Sequence, residues 1–232
     1  QLQIIFPNPC FHRYNPSMLN LIFFVIGLLA AIIINTLADY LPFSHTPLRP
    51  QWQTWGWSVR KRPLLVFVGT AVTFAILPFF MSELVDAAVN SFHIAVLILI
   101  IVTDLEHKLI FNKVIWPATA IALVASLIVS QEQNNFRLAL LGAVVGFVIF
   151  YALYGLAQLL YGAERVPLGY GDVKLAMLMG AMLGFHRIFF ALILGILLGG
   201  VISLLLLLSR RGNRVTALPY GQALALSGIV TL

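Results

Sequence analysis

The chain has 232 residues, of which 61% are hydrophobic and only 9% charged, with a mean hydropathy of +0.98. A soluble domain carries about 25% charged residues because its surface must face water. This composition therefore excludes an ordinary water-coated globule and points to a chain that crosses a membrane several times. The net charge of +6 lies in short stretches beside apolar runs, so it reads as a topology signal and not as a nucleic-acid patch. Membrane lipid is an expected partner and nucleic acid is not. Cys10 is the single cysteine, which leaves no intrachain disulfide and no cysteine zinc site.

Residues 1–17 are mixed in character and hold three prolines. The first apolar run, Met18 to Leu41, has no basic region before it and is longer than a signal-peptide core. It is expected to remain as a membrane helix. Asn35 and Asp39 lie four apart on one face near its end and are expected to bond across to a neighbouring helix rather than to help form a substrate groove. Residues 43–63 read as a polar loop with Arg49, Arg60, Lys61 and Arg62. Trp52, Trp55 and Trp57 suit a membrane interface. A second span covers 64–81, and 82–90 reads as a short acidic connection with Glu83 and Asp86.

The third span, Phe92 to Thr103, delivers Asp104 at its end. A fourth covers 114–129, followed by a polar loop at 131–137, and a fifth covers 138–161. Glu164, Arg165 and Pro167 lead into Gly169-Tyr170-Gly171-Asp172-Val173-Lys174. A short sixth span, 175–185, ends at His186 and Arg187, where the chain is expected to turn. The seventh covers 188–208, and a last short apolar segment begins near Pro219. The expected fold is an all-α bundle of about eight transmembrane helices. It divides into an N-terminal part (1–63: tail, first helix and cysteine-free basic loop) and a membrane-embedded catalytic part (64–232).

With the N-terminus outside, the inner loops hold Arg49, Arg60, Lys61, Arg62, Lys108, Lys113, Arg165, Lys174, Arg210, Arg211 and Arg214. The outer side holds only Arg13, Arg137 and Arg187. This asymmetry selects one orientation and places Asp104 and Asp172 on the same, cytoplasmic side. Small residues recur four apart at Gly142/Gly146, Gly180/Gly184 and Gly195/Gly199, a spacing that permits close helix packing.

Ionisable groups inside a bilayer are costly and usually functional. Two carboxylates brought within a few ångströms share a proton and titrate as a pair. One can then act as base toward water while the other, protonated, polarises a carbonyl. Peptide hydrolysis needs both. Gly169 and Gly171 remove side chains beside Asp172, so an extended substrate backbone could approach and the local chain could take conformations closed to other residues. Simpler readings stand beside these. Asp172 is also placed as a helix-start carboxylate, and Asp104 as a partner of Lys108 one turn on. Glu106 is expected to face solvent or lipid headgroups, and Lys174 to anchor a headgroup or phosphate. His107 and His186 are too far apart in the sequence to suggest a metal site.

The segment TDLEHKLIFNKVIWP at 103–117 resembles the first aspartate motif of type IV prepilin peptidases. GYGDVKLAMLMGAMLG at 169–184 is similar to their second, GxGD, motif, and ALPYGQALALSG at 217–228 to their closing proline-glycine segment. NTLADYLP at 35–42 resembles the end of their first helix, without the usual arginine before Leu-Pro. The resemblance implies an intramembrane aspartic endopeptidase that removes a short basic leader from type IV prepilins and pilin-like precursors at the inner membrane. It assigns Asp104 and Asp172 as the catalytic pair, with Gly169, Gly171, Lys174, Asn112 and Glu106 in supporting positions. No cofactor is expected for proteolysis and no metal.

Many members carry a loop with two Cys-x-x-Cys pairs, absent from 43–63 here. Methylation of the new N-terminus with S-adenosylmethionine, which bifunctional members add, therefore stays open. Leu109-Ile110-Phe111-Asn112 stands where the family has Ile-Pro-Asn, so a weaker helix break is expected there. The competing readings are a preflagellin or signal-peptide-remnant protease of the same motif class, a carboxylate-relay transporter, and a catalytically silent assembly factor.

Overall fold

Apolar runs with no water to satisfy their backbone must close their hydrogen bonds internally, and helices do so within one segment. The computed structural model describes residues 16–43, 57–81, 83–128, 135–162, 169–208 and 220–232. Among these the secondary structure is helical throughout: α1 (Pro16–Tyr40), α2 (Trp57–Ile76), α3 (Leu84–His107), α4 (Asn112–Ile128), α5 (Phe136–Tyr161), α6 (Tyr170–Leu208) and α7 (Tyr220–Thr231). Five of these, α1, α2, α3, α5 and α6, are long and apolar enough to cross a membrane, and α4 is a shorter apolar helix. The expected tryptophans at 52 and 55 and the basic residues at 49, 165, 210, 211 and 214 lie outside the described residues.

Two boundaries differ from expectation. The segment 57–63, expected in a loop, forms the first turns of α2. The acidic stretch expected as a connection is instead the start of α3, whose first turn holds Asp86. An acidic side chain there meets the positive end of the helix dipole, so the same residues that read as polar loop favour a helix start. At the start of α5 the side chain of Asn135 accepts a hydrogen bond from the Leu138 N–H at 3.1 Å. That cap converts the end of an expected polar loop into helix.

The chain forms two compact units, 1–95 and 96–232. In the first, α1 and α2 are antiparallel. Gly27 lies against α2, where a Cβ would come within 3.0 Å of Ala71 and Phe74 atoms, and at the other end Arg62 donates to Asp39 at 2.6 Å. Asp39 thus bonds across helices as expected. Asn35 does not: its amide donates to Ala31 O on its own helix at 2.9 Å. A short polar side chain inside a helix always has a carbonyl one turn back within reach, and here that local partner wins.

In the second unit the glycine pairs report the packing. A Cβ at Gly142 would strike the backbone of Gly180, and one at Gly146 the carbonyl of Ala176, so α5 and the first arm of α6 run antiparallel at close approach. Gly228 faces Leu97 and Met179 while Gly221 faces Asp104 and Asp172, which sets α7 antiparallel to α3 and parallel to that first arm. Gly195 faces Leu224 and Ser227, and Gly199 faces Tyr220. The second arm of α6 is therefore antiparallel to α7, and hence to the first arm. The reversal falls at Gly184, whose φ of 76° and ψ of 175° interrupt the helix. Only glycine takes such a backbone freely. The expected sixth and seventh spans are thus the two arms of α6, and the eight expected segments are all present.

Candidate active site

The first turn of α6 sets one half of the site. Gly169 precedes the helix and Asp172 is its third residue. The Gly169 N–H donates to Asp172 Oδ2 at 3.0 Å, while the Asp172 N–H donates back to Gly169 O at 3.0 Å. The first bond is the side-chain half of a capping box, and the second is a backbone bond that closes the first turn. The helix-start reading of Asp172 is therefore fulfilled, and it costs only one carboxylate oxygen. The other, Oδ1, points at Gly221 of α7.

Asp104 supplies the other half from the last turn of α3. A Cβ built on Gly221 would lie 3.0 Å from Asp104 Oδ2 and 3.1 Å from Asp172 Oδ1. Both oxygens border one point, so their separation is at most the sum of those distances, about 6 Å. Asp172 is buried and Asp104 half-buried. Gln222 donates to Asp104 from its backbone N–H and from its side-chain amide. The helix that carries Asp172 continues into apolar core: Val173, Leu175, Ala176 and Met179 are fully buried there. Fixed polar groups in such a water-poor setting interact more strongly than they would in bulk water.

α3 must end just after Asp104 to present it. It does so without the family's proline. Lys108 adopts a left-handed backbone with φ 51° and its N–H closes onto Asp104 O at 2.9 Å, after which 109–111 are non-helical. The break expected to be weaker is formed by a residue in a conformation that ends helices.

The supporting positions fall into different roles. Gly171 is helical, and a Cβ there would press on the Ile110 side chain at 3.1 Å. Its bareness admits Ile110 rather than a special backbone shape. Gly169 lies against Asp172 itself, with a Cβ position 3.4 Å from Oδ2. Lys174 donates to Asn112 Oδ1 at 2.7 Å and sits 4.7 Å from the centroid of the Tyr170 ring. It ties α6 to the start of α4. The Glu106 side chain is only 14% exposed and lies 3.9 Å from His107 Nε2. Glu106 is thus more covered than the expectation of a group facing solvent or headgroups implies.

Gly221 and Gln222 were not singled out as site residues from the sequence. The signal available was a glycine two places after Pro219, opening a short apolar segment. What that glycine faces depends on three helices being in register.

Residues 91–204 match the type IV leader peptidase family. Both aspartates lie inside the matched type IV leader peptidase region, and Gly221 and Gln222 lie beyond it. A prepilin leader peptidase/N-methyltransferase of Xanthomonas campestris pv. campestris is 33% identical over 127 residues, covering 55% of this chain and 43% of that protein. One from Pseudomonas aeruginosa is 30% identical over 135 residues, covering 56% and 43%, and one from Pseudomonas putida is 37% identical over 94 residues, covering 40% and 32%. The matched part thus spans less than half the length of these relatives. No solved structure matches the chain.

Proposed function

We propose that the chain is an intramembrane aspartic endopeptidase that removes the basic leader of type IV prepilins and pilin-like precursors. The observation that carries this reading is the convergence of Asp104 and Asp172 on Gly221, at 3.0 and 3.1 Å from one point. Two carboxylates that close share one proton. The ionised member takes a proton from water as the water oxygen bonds to the scissile carbonyl carbon. The protonated member gives its proton to the carbonyl oxygen. The C–N bond then breaks as the amine leaves with the proton taken from water by the first carboxyl, while a hydroxyl of the tetrahedral gem-diol returns its proton to the second, which regenerates the starting state. The proposed catalytic domain, 64–232, contains every group in this scheme.

In the membrane we place the N-terminus outside and the dyad on the cytoplasmic side of the inner membrane, where a basic leader would arrive. The relatives' names include N-methyltransferase. Methyl transfer would use S-adenosylmethionine. The groups gathered at the dyad, two carboxylates with amide donors, form an acid–base set, and no hydrolytic step requires that cofactor. The test is to incubate the purified chain with a panel of prepilin peptides, with and without S-adenosylmethionine. Mass spectrometry scores leader release and N-methylation separately. Release after the leader's final glycine supports the proposal, and intact peptides throughout the panel refute it.

A further inference from the structure

α7 begins beside the dyad, and its first turn does two things there. Gly221 keeps a side chain out of the space between the carboxylates. The next residue, Gln222, directs both its donors at one of them, Asp104. A first-turn N–H has no partner within its own helix, so the backbone bond to Asp104 satisfies a group α7 would otherwise leave open. The side-chain amide adds a second donor to the same carboxylate. Asp172 is held differently, by the Gly169 N–H of its own helix start at 3.0 Å. Asp104 lies on the final turn of α3, four residues before the left-handed Lys108, and Gln222 brings it donors from another helix.

We propose that Gln222 is a positioning residue that fixes the orientation of the Asp104 carboxylate toward Asp172. The proposal rests on the dyad reading above and adds to it the element that aligns one member. Its effect falls on turnover: a misdirected carboxylate lowers the fraction of bound substrate that reacts, without changing how the leader is held.

The test uses the full chain in lipid vesicles with a cleavable prepilin peptide, comparing Gln222→Ala and Gln222→Glu with the parent. Gln222→Ala is expected to lower kcat roughly ten-fold with KM unchanged, the size of one hydrogen bond to a charged group. Gln222→Glu keeps the length but replaces a donor with an anion near neutral pH. It is expected to be weaker than Gln222→Ala there, and to recover relative to Gln222→Ala as the pH falls and the new carboxyl becomes a donor. Parental kcat in Gln222→Ala, or a constant ratio between the two variants at every pH, overturns the proposal. Asp104→Asn and Asp172→Asn run in parallel. If those two retain cleavage, the dyad reading fails; if they are inactive and the Gln222 variants are unaffected, only the positioning role fails.

Discussion

Asp39 and Asp104 make an instructive pair. Each lies near the C-terminal end of an apolar helix, α1 and α3, and from the sequence each is a carboxylate at a membrane edge. In the first unit Asp39 meets the Arg62 guanidinium at 2.6 Å. Its charge is matched by a cation. In the second unit Asp104 is set beside another carboxylate and beside amide donors, at a glycine that leaves room between the two acids. A carboxylate matched to a cation is structural. A carboxylate matched to a second carboxylate is the arrangement that the proposed acid–base chemistry requires. The residue type does not make this distinction; the partner does.

Substitutions at the two places break or sharpen the contrast. The largest effect is expected at the dyad: Asp104→Asn and Asp172→Asn should each lower leader release by about 10³-fold or more, the upper part of the range for losing an acid–base group. Asp39→Asn should leave kcat at the parental value, as read by the same mass assay. Next comes Gly221→Ala. Its methyl would press on both carboxylates at 3.0 and 3.1 Å, and a shift of about 1 Å in reacting groups costs roughly 100-fold. Helix content by circular dichroism should not change. Gly180→Ala drives a methyl into the Gly142 backbone and should destabilise the second unit by about 1–3 kcal/mol, seen as a lower unfolding midpoint in detergent. The smallest effect belongs to Arg62→Met. The Asp39 side chain is 37% exposed, and an ion pair open to water is worth about 0.2–1 kcal/mol.

Much of this fold is legible in the sequence because membrane helices declare themselves by length and apolarity. The GYGDVK stretch and Asp104 stand out because charge is rare in such a chain. The glycine pairs at 142/146, 180/184 and 195/199 mark helix contacts for the same reason, since close approach removes side chains on both partners. Other features depend on what folding brings near. Asn35 could bond across helices or to a carbonyl one turn back, and its sequence position does not choose between them; in the fold it bonds Ala31 O. Glu106 is polar, but its exposure is set by how the last turn of α3 is covered. Gly221 and Gln222 sit 49 and 50 places after Asp172 in the chain, and their meaning appears only when α3, α6 and α7 are aligned.

The most direct test is whether the two acids meet in the membrane. Asp104→Cys and Asp172→Cys, combined in a chain whose only native cysteine is removed by Cys10→Ser, should be bridged by a short bis-thiol reagent, giving one intramolecular cross-link by mass. Pairing Asp172→Cys with Asn135→Cys, at the start of α5, should give none. Failure of the 104–172 pair to cross-link while both thiols remain reactive would contradict the shared site.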